Sequence, residues 1–279
     1  MNILFQHILL PVDFTINTEI AVKKAMELIE EREAVIHLLH VMSHATRAGN
    51  HPASASPGGL ERETASVKLE SWRNAIRETR PDLQVEIHLL NGKNIHNHIV
   101  QLAKITNPQL IIIGKHNYHN WFSFLNTVFP AKMAKQTGCP VLTLKAGSLH
   151  NKIKTIVFPI SGFVPKRKIE LLQKLTLKYR ARVYLVTLTE EPGRNDSNAY
   201  YAFIDTYRLL KSGLNCPIEH KVIPGNNLAK AALRFAEVIR ADMILVTPDT
   251  ETRVSLIQNK QLTDIVKADS KLEILAVEP

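Results

Sequence analysis

The chain has 279 residues, about twice the length of a typical compact domain, so two domains are expected before any motif is read. Its 45% hydrophobic and 22% charged residues exclude a disordered or fibrous chain, and its two cysteines, Cys139 and Cys216, stand far apart in no CxxC arrangement, which excludes a disulfide framework or a cysteine metal site. The formal net charge of +9 admits an anionic partner, yet the basic residues are dispersed. The tight triplet Lys166-Arg167-Lys168 opens a helical stretch without interleaved aromatics and reads as a solvated face, so a nucleic-acid partner is not expected.

Met1 to Phe14 carries no basic leader before its apolar residues, and runs such as Leu110 to Ile113 are far too short to span a bilayer; the expectation is a cytoplasmic protein without a membrane partner. The first strand is His7 to Val12, broken by Pro11 near its end and followed by Asp13-Phe14-Thr15. A second strand covers Val35 to Met42, and the segment Ala45 to Gly59 that follows is rich in Ala, Ser, Pro and Gly. Helical spacing at Ala65, Leu69, Trp72 and Ile76 precedes a strand at Val85 to Leu90. Spacing at Ile95, Ile99, Leu102 and Ala103 precedes a strand at Ile111 to Ile113, and Val141 to Leu144 closes the series. The series then repeats, with strands at Thr155 to Ile160, Arg182 to Leu188, Ile218 to Ile223, Met243 to Val246 and Glu273 to Val277. A helix at Leu228, Ala232, Phe235, Ala236 and Ile239 stands among them.

The repetition is explicit. His7-Ile8-Leu9-Leu10-Pro11-Val12 matches Thr155-Ile156-Val157-Phe158-Pro159-Ile160 at an offset of 148. Asn91-Gly92-Lys93-Asn94-Ile95 matches Pro224-Gly225-Asn226-Asn227-Leu228, and Leu110 to Gly114 matches Met243 to Thr247, both at an offset of 133. The extra residues of the first copy fall mainly in Ala45 to Gly59. Strands apolar along most of their length and separated by helices imply parallel pairing with both sheet faces covered. The fold class is therefore α/β: two tandem doubly wound five-stranded parallel sheets, with domains at 1–147 and 152–279. If the strand order is 3-2-1-4-5, ligands bind outside the carboxyl ends of strands 1 and 4, where Asp13-Phe14-Thr15 and Gly114-Lys115-His116 meet.

These residues resemble the universal stress protein family. Ile8 to Phe14 is similar to its first strand with the aspartate that meets adenine, Leu110 to Gly114 to its fourth strand, and Cys139-Pro140-Val141-Leu142 to its closing strand. Copy two is similar mainly in pattern, with Ala241 to Val246 its best segment. The resemblance implies an adenine nucleotide alpha hydrolase-like architecture and ligand-binding positions at Asp13, Val41, Gly114, Asn117 and Thr127. It also implies that the two copies pair through their last strands as an intramolecular pseudo-dimer. Nucleotide-binding members carry G-x2-G-x9-G-[ST] after strand 4, whose glycines let backbone amides approach phosphates. Here Gly114 is kept, but Asn117, Thr127 and Val128 stand at the other three positions, and Tyr118, Trp121, Phe122 and Phe124 add bulk. In copy two Ser161 replaces the aspartate, Thr247 replaces the leading glycine, and Pro248 to Gln258 contain no glycine. Asp13 also reads as a turn residue that satisfies local amides.

Ten of the twelve histidines precede residue 120. The pairs His116/His119 and His96/His98 lack further ligands in sequence, so no metal is assigned. Neither a G-x-S-x-G elbow nor a Walker loop nor G-x-G-x-x-G occurs. The expectation is a non-enzymatic stress-response binding or regulatory protein with no cofactor, an unidentified protein partner and a second copy of the chain as a candidate partner. The alternatives are an ATP-binding switch in the first copy and a basic nucleic-acid-associated protein.

Overall fold

The structure, a computed structural model, describes residues 5–30, 33–42, 57–115, 124–150, 152–188, 197–254 and 261–279. The first half contains β1 (His7–Pro11), α1 (Ile16–Leu28), β2 (Val35–Met42), α2 (Pro57–Thr79), β3 (Gln84–Asn91), α3 (Ile95–Thr106), β4 (Leu110–Gly114), α4 (Pro130–Thr137) and β5 (Val141–Leu144). The second contains β6 (Thr155–Pro159), α5 (Lys166–Tyr179), β7 (Arg182–Leu188), α6 (Ser197–Gly213), β8 (Ile218–Ile223), α7 (Leu228–Val238), β9 (Met243–Val246), α8 (Leu262–Ile265) and β10 (Glu273–Ala276). The ten strands expected from the apolar runs are all present, with bounds shifted by a residue or so.

The strands form one sheet in the order β3-β2-β1-β4-β5-β10-β9-β6-β7-β8, so the assumed 3-2-1-4-5 order occurs in each half. Pairing is parallel within each half and antiparallel between β5 and β10, where Thr143 faces Ile274 and Leu142 faces Leu275. Alternate residues of each strand feed two cores. Ile8, Leu10, Ile36 and Ile112 pack under α1, α2, α5 and α6. Leu9, Leu39, Ile111 and Ile113 pack under α3, α4, α7 and α8. Burial on both faces is why the strands read as unbroken apolar runs.

The repeated Gly-x-Asn segment acquires a local meaning here. Asn94 caps α3 by accepting from the Asn97 amide at 3.1 Å, and Asn227 caps α7 by accepting from the Lys230 amide at 2.9 Å, each satisfying an amide that the helix leaves unpaired. The α5 triplet corrects an expectation. Lys166 and Arg167 are exposed, but Lys168 is fully buried, because helical spacing with Leu171, Leu172 and Leu175 puts it on the apolar face. Arg167 reaches across the halves and donates to the Gly138 carbonyl at 2.7 Å.

Candidate functional site

The crevice of the first half lies where β1 and β4 part. Asp13, directly after β1, is buried, and its Oδ1 accepts from the Thr15 amide at 3.1 Å, from the Thr15 hydroxyl at 2.6 Å and from the Thr18 hydroxyl. The Asp13 amide in turn donates to Thr18 Oγ1 at 3.3 Å. The carboxylate thus ties together the entry to α1, the local role open to an aspartate at a turn. Phe14, held at φ +58°, places its ring 4.6 Å from that of His40 and edge-on to Trp72 at 6.2 Å, with the Lys68 ammonium 5.2 Å above it. His40 donates through Nδ1 to the Val12 carbonyl at 2.7 Å, and burial pushes its imidazole below the ordinary range. An open cavity of about 520 Å3 follows, lined by Asp13, Phe14, His40, Val41, Thr64 and Lys68 among others.

Of the five ligand positions implied by resemblance, Asp13 and Val41 line this cavity. Gly114 does not; it serves contact between elements, since a Cβ there would stand 2.2 Å from the Asn17 carbonyl oxygen, and only glycine lets α1 seat on β4. Thr127 lies exposed at the end of a short 3-10 turn, Phe124–Thr127. Asn117 lies outside the described residues, as do His116, His119, Tyr118, Trp121, Phe122 and the side chain of Phe124. Val128, at the hydroxyl position of the nucleotide loop, is a fully buried core residue. Lys115, which follows Gly114, donates at 2.7 Å to Asp264 of the second half and at 3.3 Å to the Val128 carbonyl. Beside it the buried Lys145 is pushed down to about 8, by desolvation and then by the Lys115 charge.

In the second half the equivalent crevice, between the ends of β6 and β9, is filled from within. Glu251 accepts from the Lys168 ammonium at 2.6 Å, from the Thr247 amide at 2.7 Å and from the Ser161 hydroxyl at 3.3 Å. Lys168 also donates to the Pro159 carbonyl at 2.7 Å, and neither side chain of the pair is more than 1% exposed. Thr247 stands where Gly114 stands in the first half, and Ser161 where Asp13 stands. The amide and hydroxyl at the switch point are therefore turned onto an internal carboxylate. Sequence reasoning missed Glu251 and misread Lys168. The available signal was a lysine on the apolar face of α5.

Among the histidines weighed from sequence, His96 is buried and bonds Gln136 through Nε2 at 2.7 Å. The His98 ring covers Gly92, where a Cβ would stand 1.9 Å from Nε2. A different set converges on the strands: His37 Nδ1 lies 3.2 Å from His88 Nε2 and 3.1 Å from Glu86 Oε2, with His88 Nε2 3.7 Å from the same carboxylate oxygen.

Residues 4–145 match the model of the universal stress protein family. The chain belongs to that family. A universal stress protein from Archaeoglobus fulgidus has 14% identity with it at a TM-score of 0.67, the alignment covering 97% of this chain and 95% of that one. A putative universal stress protein from Pseudomonas aeruginosa has 15% identity at 0.63, with 99% and 94% covered. The cytoplasmic domain of a prokaryotic cation chloride cotransporter has 12% identity at 0.51, with 98% and 95% covered. These similarities extend the family's fold over the second half, which the family model does not reach. Comparison with curated protein sequences finds no match. Among the described residues no helix is long and apolar enough to cross a membrane.

Proposed function

We propose that this universal stress protein is a cytoplasmic, non-enzymatic binding and regulatory protein of the stress response, with an accessible small-molecule cleft in domain 1–147. Domain 152–279 serves as its structural partner in an intramolecular pseudo-dimer. The observation that carries this reading is the buried Lys168–Glu251 pair, which occupies the second crevice and engages the Thr247 amide. A phosphate arriving there would have to displace a carboxylate already charge-paired in a dry site, and breaking such a pair costs several kcal/mol, roughly 3–5.

Pairing of β5 with β10 supports the pseudo-dimer reading, since it hides in each half the edge strand that a single copy would expose. Polar contacts cross the seam at Lys24–Glu273, Lys115–Asp264, Lys135–Asp249 and Lys178–Glu30, at 2.7–2.9 Å. A second copy of the chain, or another protein, would have to use a different surface.

A second reading is favoured by the cavity beside Asp13: an ATP-binding switch using the first half alone. Val41 would then face the base and Lys68 would supply a cation. Against it, the Asp13 carboxylate already serves three donors, Thr127 stands where the loop has a glycine, and Val128 stands where it has a hydroxyl. Native mass spectrometry of freshly purified protein separates the two readings. The first expects no co-purifying ATP; the second expects one nucleotide per chain.

A further inference from the structure

His37, Glu86 and His88 come together through strand register rather than through sequence. In the parallel pairing of β2 with β3, His37 aligns with Glu86 and Leu39 with His88, so all three side chains leave the same face of the sheet. That face is the one α3 covers, towards the amino ends of the strands and away from the carboxyl-end crevice. His37 is 5% exposed, His88 22% and Glu86 54%, so the cluster runs from the interior to solvent at the sheet's outer strand. The His7 ring of β1 stacks on the His37 ring at a centroid distance of 6.0 Å and closes the inner side.

The three donor atoms His37 Nδ1, Glu86 Oε2 and His88 Nε2 form a triangle with sides of 3.1, 3.2 and 3.7 Å. Nitrogen and oxygen donors sit about 2.0–2.1 Å from tetrahedral zinc, which separates them by roughly 3.3–3.5 Å, so one ion fits with shifts of a few tenths of an ångström. Two imidazoles and one carboxylate suit late first-row divalent metals, whereas calcium and magnesium prefer all-oxygen sets. The exposed side of Glu86 leaves room for water as a fourth ligand.

We propose that His37, Glu86 and His88 bind one zinc-class divalent ion, a site separate from the family's ligand crevice. Holding β2 to β3, the ion fastens the outer strand of the sheet to its neighbour. The test uses the full chain, purified without a histidine tag, stripped with chelator and titrated with zinc against a chromophoric competitor. One zinc per chain is expected, with a rise in melting temperature on zinc addition. A His116→Ala/His119→Ala variant should keep both properties, and Glu86→Gln/His88→Gln should bind at least about tenfold more weakly and lose the thermal shift. Glu86→Gln alone, a change at a half-exposed side chain, separates loss of a ligand from loss of the fold; it should bind more weakly with its zinc-free melting unchanged. Absence of saturable zinc binding, or binding that survives in Glu86→Gln/His88→Gln, would overturn the proposal and leave the three residues as a hydrogen-bonded polar cluster.

Discussion

The Lys168 ammonium and the Glu251 carboxylate meet at 2.6 Å in the crevice of the second half, both shut off from solvent. Burial pulls the lysine downward against the pull of the glutamate, and the pair persists because each charge has further partners, the Pro159 carbonyl for one and the Thr247 amide for the other. Removing either member leaves an unpaired charge in a dry site. Glu251→Ala or Lys168→Met should therefore cost roughly 3–5 kcal/mol in urea denaturation, whereas Lys168→Met/Glu251→Leu should be close to neutral. A loss in the double variant equal to the sum of the two single losses would show that the pair is not coupled.

In the first half a glycine lets α1 seat on β4, and an aspartate ties the turn that starts α1. Gly114→Ala should destabilise by about 1–3 kcal/mol, because its methyl would meet the Asn17 carbonyl oxygen. Asp13→Ala should cost about 1 kcal/mol through loss of the turn that starts α1. Chemical denaturation measures both.

Stability should fall on mild acidification. Burial lowers the His40 imidazole below its ordinary 6.5, helped by the Lys68 charge and opposed by the Val12 carbonyl and Asp13. The unfolded chain then binds more protons at this position than the folded one, so the contribution of neutral His40 is present above about pH 6.5 and is lost as the pH drops through the lowered value. His40→Gln should flatten that part of the stability profile, measured as denaturation midpoints from about pH 5 to about pH 7.5, the range that brackets ordinary histidine titration.

Separating the halves should expose the β5 edge. Residues 1–147 expressed alone should dimerise or aggregate, since Val141, Leu142 and Thr143 lose their pairing with β10. Light scattering on the eluted fragment reads this directly, and a well-behaved monomer would count against the seam as the main contact.

Strands were legible because parallel strands buried on both faces write themselves as continuous apolar runs; β4 and β9 are the clearest cases. The repeat was legible because the Asn caps of α3 and α7 and the proline at the end of β1 and β6 recur in order. The filling of the second crevice was not, because Glu251 stands 83 residues from Lys168 and nothing local marks it as a partner. His37 and His88 are likewise 51 residues apart and join only through the register of two strands. The close approach of α1 to Gly114 was not legible either, because spacing alone does not show which backbone comes against a glycine.

Calorimetric titration of the full chain with magnesium-ATP tests the central claim most directly, run alongside Asp13→Ala and with phosphate release followed in the same samples. The account predicts no saturable nucleotide binding at micromolar protein, no phosphate release and no difference between the two chains. Stoichiometric binding that Asp13→Ala abolishes would contradict it and establish the first half as a nucleotide switch.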